Sequence, residues 1–223
     1  SENNLNFFAL ALNCLTNFIT KFNYSELDEG FFNDLRTILL NDHEIALQCA
    51  LLVEKLSDFV PFQQDYQYFF DFVHFVCVQP HPAYAYHLYS SIRNIIKRDY
   101  NLLRIPTDKD NFDCDTYWVF AFLLQSCNYD EACQNVVFDL CSVLPYQSIS
   151  PILSFDKIRQ NAFSALTNCE SDIRLISIFR SLRHFMMVDP NNFSKYYFSF
   201  ENDEHLTPLL IRHAIESEYT VKF

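Results

Sequence analysis

The chain has 223 residues, 50% of them hydrophobic and 17% aromatic, a formal net charge of −12 and one glycine, Gly30. Average usage of about 7% would give roughly 16 glycines. Without them, primed hairpin turns, phosphate-cradling loops, dinucleotide fingerprints and nucleophile elbows are excluded, and most β architectures with them.

Apolar residues recur at three- and four-residue spacing along nearly the whole chain, the signature of amphipathic helices. In chain order the pattern predicts helices over 4–22, 28–40, 43–59, 64–78, 82–99, 115–127, 130–144, 155–168, 171–187, 190–199 and 205–218. Asp42, Asp130 with Glu131, and Ser171-Asp172 stand where N-caps belong. Prolines 61, 80, 82, 106, 145, 151 and 190 punctuate the helices, and 100–114 reads as the longest loop. No low-complexity linker divides the chain, so one domain over 1–223 is expected. No basic leader and no apolar run of transmembrane length is seen.

The acidic balance argues against nucleic acid and anionic membranes as partners, because both call for a basic footprint. Arg93, Lys97, Arg98 and Arg104, and again Arg174, Arg180 and Arg183, are local basic groups that read as solvated helix faces. The eight cysteines include no C-x-x-C, and most sit in apolar runs such as that around Cys14. They read as buried free thiols. Cys127, Cys133 and Cys141 are too irregularly spaced for zinc. The acid pairs Asp28-Glu29, Asp113 with Asp115, and Asp130-Glu131 fall at predicted helix starts and read as dipole-complementing caps. The seven histidines form no H-E-x-x-H. No catalytic residue, metal or cofactor is expected. Tyr66, Tyr68, Tyr84, Tyr86 and Tyr89 cannot all face inward, so some are expected to reach a surface and anchor a partner.

The longer helices align. Leu15, Leu56, Ile92, Leu140 and Leu182 form one column, at separations of 41, 36, 48 and 42 residues. Four residues earlier stand Ala11, Leu52, Leu88, Val136 and Ile178; three earlier again stand Phe8, Cys49, Ala85, Cys133 and Leu175. These positions share one helix face. A period near 40 means units that complete their core only by stacking.

Leu35–Ala50 (LRTILLNDHEIALQCA) resembles an armadillo repeat passing from its second helix to its third. Ala11–Phe18 and Asn161–Asn168 resemble the third-helix pattern Ala-Leu-Trp-Ala-Leu-Ser-Asn-Leu, although the period assigns Asn161–Asn168 to a second helix. HEAT-type helix pairs fit similarly. The resemblance implies an all-α, right-handed α-solenoid of about four to five repeats. In the peptide-binding members, third helices line a concave groove, and an asparagine ladder grips the ligand backbone. Carried onto this chain, the ladder positions are Asn17, Asp58, Asn94, Ser142 and His184; the tryptophan positions, four earlier, hold Asn13, Glu54, Ser90, Phe138 and Arg180. Only two ladder positions are asparagine and Trp118 lies elsewhere, a departure that argues against nuclear-import-type cargo.

The expected function is a non-catalytic, cytoplasmic or nuclear protein–protein interaction scaffold. Asn13, Asn17, Glu54, Asp58, Ser90, Asn94, Ser142 and His184 are its expected partner-binding residues. The net charge points to a partner of basic character. The alternative is an assembly module, or a GTPase- or enzyme-binding regulatory region like that of formins. The apolar start and the Thr220-Val221-Lys222-Phe223 end lack polar capping repeats, so self-association or a larger parent protein is expected.

Overall fold

Side chains and prolines set the helix starts much as the sequence suggests. Asp28 Oδ1 accepts from Phe31 N at 3.0 Å, and Asp130 Oδ1 from Cys133 N at 2.9 Å, each satisfying an end group that no turn of helix can reach. Pro82 and Pro190 each occupy the first helical residue, behind His81 and Asp189, whose side chains accept from Ala83 N and Asn192 N. The structure, a computed structural model, describes residues 2–18, 28–41, 43–58, 72, 81–107, 113–114, 116–168 and 172–198. The helices predicted at 64–78, apart from Phe72, and at 205–218, and the caps assigned to Asp42 and Ser171, lie outside them.

Among the described residues all regular structure is helical: α1 (Glu2–Phe18), α2 (Glu29–Asn41), α3 (His43–Ser57), α4 (Pro82–Arg98), a 3-10 turn (Tyr100–Leu102), α5 (Trp118–Ser126), α6 (Glu131–Cys141), α7 (Tyr146–Leu153), α8 (Asp156–Asn168), α9 (Asp172–Val188) and α10 (Pro190–Tyr197). No described residue has positive φ, Gly30 included, which accounts for a fold that manages with so little glycine. The chain divides into two units: Ser1–Arg104 with Asp113–Tyr129, and Ile105–Phe112 with Asp130–Phe223.

In the first unit α3 is central. It packs on α1, α2 and α4, and α5 packs on α4. Small residues make room: Ala46, Cys49 and Ala50 are fully buried beside Leu52, Val53 and Leu56. Each large aliphatic side chain so enclosed contributes about 1.5–3 kcal/mol. From α4, Ala85, Leu88, Tyr89 and Ile92 close the same core. Tyr89 stacks on Phe122 with ring centroids 4.2 Å apart, and the Tyr84 hydroxyl donates to Leu39 O at 3.1 Å. These two tyrosines are therefore core residues, not surface anchors; Tyr86 is the one left half-exposed on α4.

In the second unit α9 packs on α6, α7, α8 and α10. Phe185, Phe193, Tyr197 and Phe163 form an aromatic core, and the Tyr197 hydroxyl donates to Leu153 O at 3.0 Å. Helix α7 is a departure from the pattern: the prolines at 145 and 151 predict a break between 144 and 155, and a helix forms there. Pro145 stands at the cap with φ −66°, ψ 157°, and Pro151 lies inside the helix. Pro151 removes one donor from a helix of two turns, and the buried Ile149, Ile152 and Leu153 offset the loss.

Two other expectations shift. Helix α5 starts at Trp118 rather than 115, because the Asp113 carboxylate takes both the N–H and the hydroxyl of Thr116 in a preceding turn. Cys14 is exposed although its neighbours are apolar; Cys49, Cys127, Cys133 and Cys141 are buried as expected.

Candidate interaction face

Within each unit, helices one period apart lie side by side and run parallel. Glu54 meets Ser90, and four residues further along both helices Asp58 meets Asn94. Gln134 meets Arg174, and Leu144 meets His184. Ser150 meets Asp189, and Leu153 meets Tyr197. Successive helices joined by short turns are ordinarily antiparallel. Parallel neighbours separated by a full period are what stacked helical hairpins produce.

In the first unit this packing sets α1, α3 and α4 in series and, among the described residues, leaves one side of each uncovered. That side carries Leu10, Asn13, Cys14 and Asn17 of α1; Leu47, Glu54, Lys55 and Asp58 at and after α3; and Tyr86, His87, Arg93 and Asn94 of α4. Asn13, Asn17 and Asp58 are exposed, Glu54 and Asn94 are half-buried, and Ser90 is buried.

The α3–α4 seam is a continuous polar network. Glu54 Oε2 accepts from His87 Nδ1 at 2.6 Å, and its Oε1 accepts from the Ser90 hydroxyl. Arg93 Nη2 donates to Ser90 Oγ at 2.6 Å and, with Nε, to Asn94 Oδ1 at 3.2 and 3.3 Å. Asn94 Nδ2 donates to Asp58 Oδ1 at 2.8 Å and to Ser57 Oγ at 3.2 Å. Arg98 donates to the Ser57 carbonyl at 2.8 Å. Burial pushes the Glu54 carboxyl up, but the His87 and Ser90 hydrogen bonds and the charges of His87 and Arg93 outweigh it and hold the group below its ordinary value.

His87 and Ser57 have no place in the sequence analysis, and Arg93 and Arg98, expected there as solvated helix faces, are instead bonded into the seam. The 36-residue offset between α3 and α4 was the available signal, since it places Leu51 beside His87 and Glu54 beside Ser90.

Glu54, His87 and Ser90 are residue types that could form a hydrolytic triad, but they are wired otherwise. Both Ser90 and His87 bond to the carboxylate, and Ser90 is fully buried. A nucleophile must give its proton to the histidine and be reachable by substrate. The arrangement does neither; it fixes the register of two helices.

In the second unit the corresponding positions diverge. Phe138 is buried in the core. Ser142 Oγ donates back to Asp139 O at 2.7 Å, closing its own helix end. His184 Nε2 is 2.9 Å from Leu144 O. Arg180 is exposed. The expected column is thus continuous as hydrogen-bonded polar groups only from α3 to α4. Among the described residues no group of three or more His, Cys, Asp or Glu side chains is arranged for a metal, and no helix is long and apolar enough to cross a membrane.

No protein-family model, curated protein or solved structure matches the chain.

Proposed function

We propose that this protein is a non-catalytic scaffold of armadillo/HEAT type, a right-handed α-solenoid that binds a protein partner across the uncovered side of α1, α3 and α4. The observation that supports this reading most is the parallel packing of helices one period apart, with Glu54 against Ser90 and Asp58 against Asn94. Such packing presents equivalent positions of successive helices in rows, and rows suit an extended peptide or a second helix. Asn13 and Asn17 bring carboxamides that both donate and accept, and Asp58 brings an exposed carboxylate. A partner of basic character fits Asp58 and the net charge of −12. Cys49, Cys127, Cys133 and Cys141 are buried thiols outside any disulfide, which fits a reducing setting such as the cytoplasm.

The test is capture from native lysate by the full chain and by N13K/N17K/D58K, three exposed substitutions. A control carries substitutions at the exposed Lys157, Gln160 and Ser164 of α8. The reading expects proteins held by the wild type and the control, lost by the triple variant and released by salt. A captured set that the triple substitution leaves unchanged contradicts it.

A further inference from the structure

The structure splits the second basic cluster of the sequence into two different things. Arg174 is buried, with Nη1 2.6 Å from Glu131 and Nη2 on Gln134. Arg180 and Arg183 are exposed, and among the described residues neither guanidinium is engaged by a carboxylate. They sit at i+4 and i+7 from Ile176, with Met187 at i+11, so all four share one narrow stripe of α9. The stripe points away from the core, because the buried Ile178, Ser181, Leu182 and Phe185 occupy the opposite side. Its apolar members are open to solvent: Ile176 is 41% exposed, Met187 68% and the flanking Met186 45%.

We propose that this stripe docks an acidic amphipathic helix of a partner protein, its apolar residues on Ile176, Met186 and Met187 and its carboxylates on Arg180 and Arg183. The inference goes beyond the α1/α3/α4 reading and uses none of those residues. Charge complementarity fixes the occupant. Covering two guanidinium groups without carboxylates would desolvate unpaired charge, so whatever covers the stripe must supply acids between its apolar contacts. An arginine fork takes a carboxylate through two parallel hydrogen bonds. Methionine and arginine are also the residues enriched in interface cores, and methionine adapts to irregular apolar partners. Ile176 to Met187 spans three helical turns, about 16 Å, which suits a partner helix of about 11–14 residues. An anionic membrane is the weaker fit, since two arginines stand against a chain of net charge −12.

The test pans the immobilised full chain against displayed 14-residue helical peptides. These carry an apolar residue at i, i+3/i+4 and i+7, and positions between them randomised to Glu or Lys. Glu-rich binders are expected; R180E/R183E should weaken them by about tenfold or more and shift selection to Lys. N13K/N17K/D58K should leave them unchanged, so failure here is distinguishable from failure of the α1/α3/α4 reading. Circular dichroism of R180E/R183E should match the wild type, since both positions are exposed. No binders, no preference for Glu, or affinity indifferent to the reversal would overturn the proposal. So would wild-type binding to phosphatidylserine vesicles, or self-association in sedimentation, that R180E/R183E abolishes; these assign the stripe to lipid or to a second copy.

Discussion

Replacing Arg174 by methionine and replacing its partner Glu131 by alanine should have opposite consequences, although both break one ion pair. The Arg174 side chain is 7% exposed and Glu131 is 61% exposed. Removing Glu131 leaves a guanidinium enclosed between α6 and α9 with Gln134 as its remaining acceptor among the described residues and with Nε already unsatisfied. A fully enclosed pair broken in this way costs roughly 3–5 kcal/mol; because the emptied Glu131 position opens to water, Glu131→Ala is expected to cost about 2 kcal/mol. Arg174→Met keeps the aliphatic stem and removes the charge that had to be desolvated, while Glu131 returns to solvent. Its expected cost is below about 1 kcal/mol. Urea unfolding followed by far-ultraviolet circular dichroism measures both, with hydrogen exchange in α6 and α9 locating the effect. An Arg174→Met variant less stable than Glu131→Ala would refute the reasoning and make the pair a net source of stability.

Glu54 gives a pH prediction. Its folded-state pKa lies below its ordinary value of 4.5, so its contribution is fully present above that value and is lost as pH falls through the folded one. Glu54→Gln should therefore flatten the acid limb of stability below about pH 4.5, read by fluorescence of Trp118, the only tryptophan and a residue of the same unit. An unchanged acid limb would exclude the network as its source. Tyr197→Phe removes a fully enclosed donor from Leu153 O and should cost about 1–1.5 kcal/mol in urea unfolding; a change under about 0.3 kcal/mol counts against that bond. Iodoacetamide on the native chain, followed by peptide mass spectrometry, should label Cys14 and Cys114 and spare Cys49, Cys127, Cys133 and Cys141. Burial, with Asp130 beside it, also pushes the Cys133 thiol up, so fast labelling there would mean that α6 opens.

Much of this was legible because it is local. The caps at Asp28 and Asp130 follow from residue type and position, and the buried column of Leu56, Ile92, Leu140 and Leu182 follows from helical period. The column fails on α1, where Leu12 is buried, Leu15 only half so and Ala11 exposed. Among the described helices α1 packs chiefly on α3, and its buried residue Leu12 is aimed one residue away from the aligned set. The Glu54 network was half legible. The period placed Glu54 and Ser90 in one column, but their bonding, and the roles of His87 and Arg93, depend on side-chain directions that periodicity does not carry. Helix α7 was hidden by proline chemistry that its buried isoleucines override. The two roles within the Arg174–Arg183 cluster were not separable from sequence, because burial alone tells them apart.

The stacking of parallel helices one period apart is tested most directly by a double-mutant cycle on Glu54→Ala and Ser90→Ala, with urea unfolding followed by Trp118 fluorescence. Side chains 36 residues apart that share a hydrogen bond to a carboxylate should couple by about 1–2 kcal/mol. Strict additivity, a coupling under about 0.3 kcal/mol, would mean that α3 and α4 do not meet in this register and would remove the row of positions on which the proposed partner face depends.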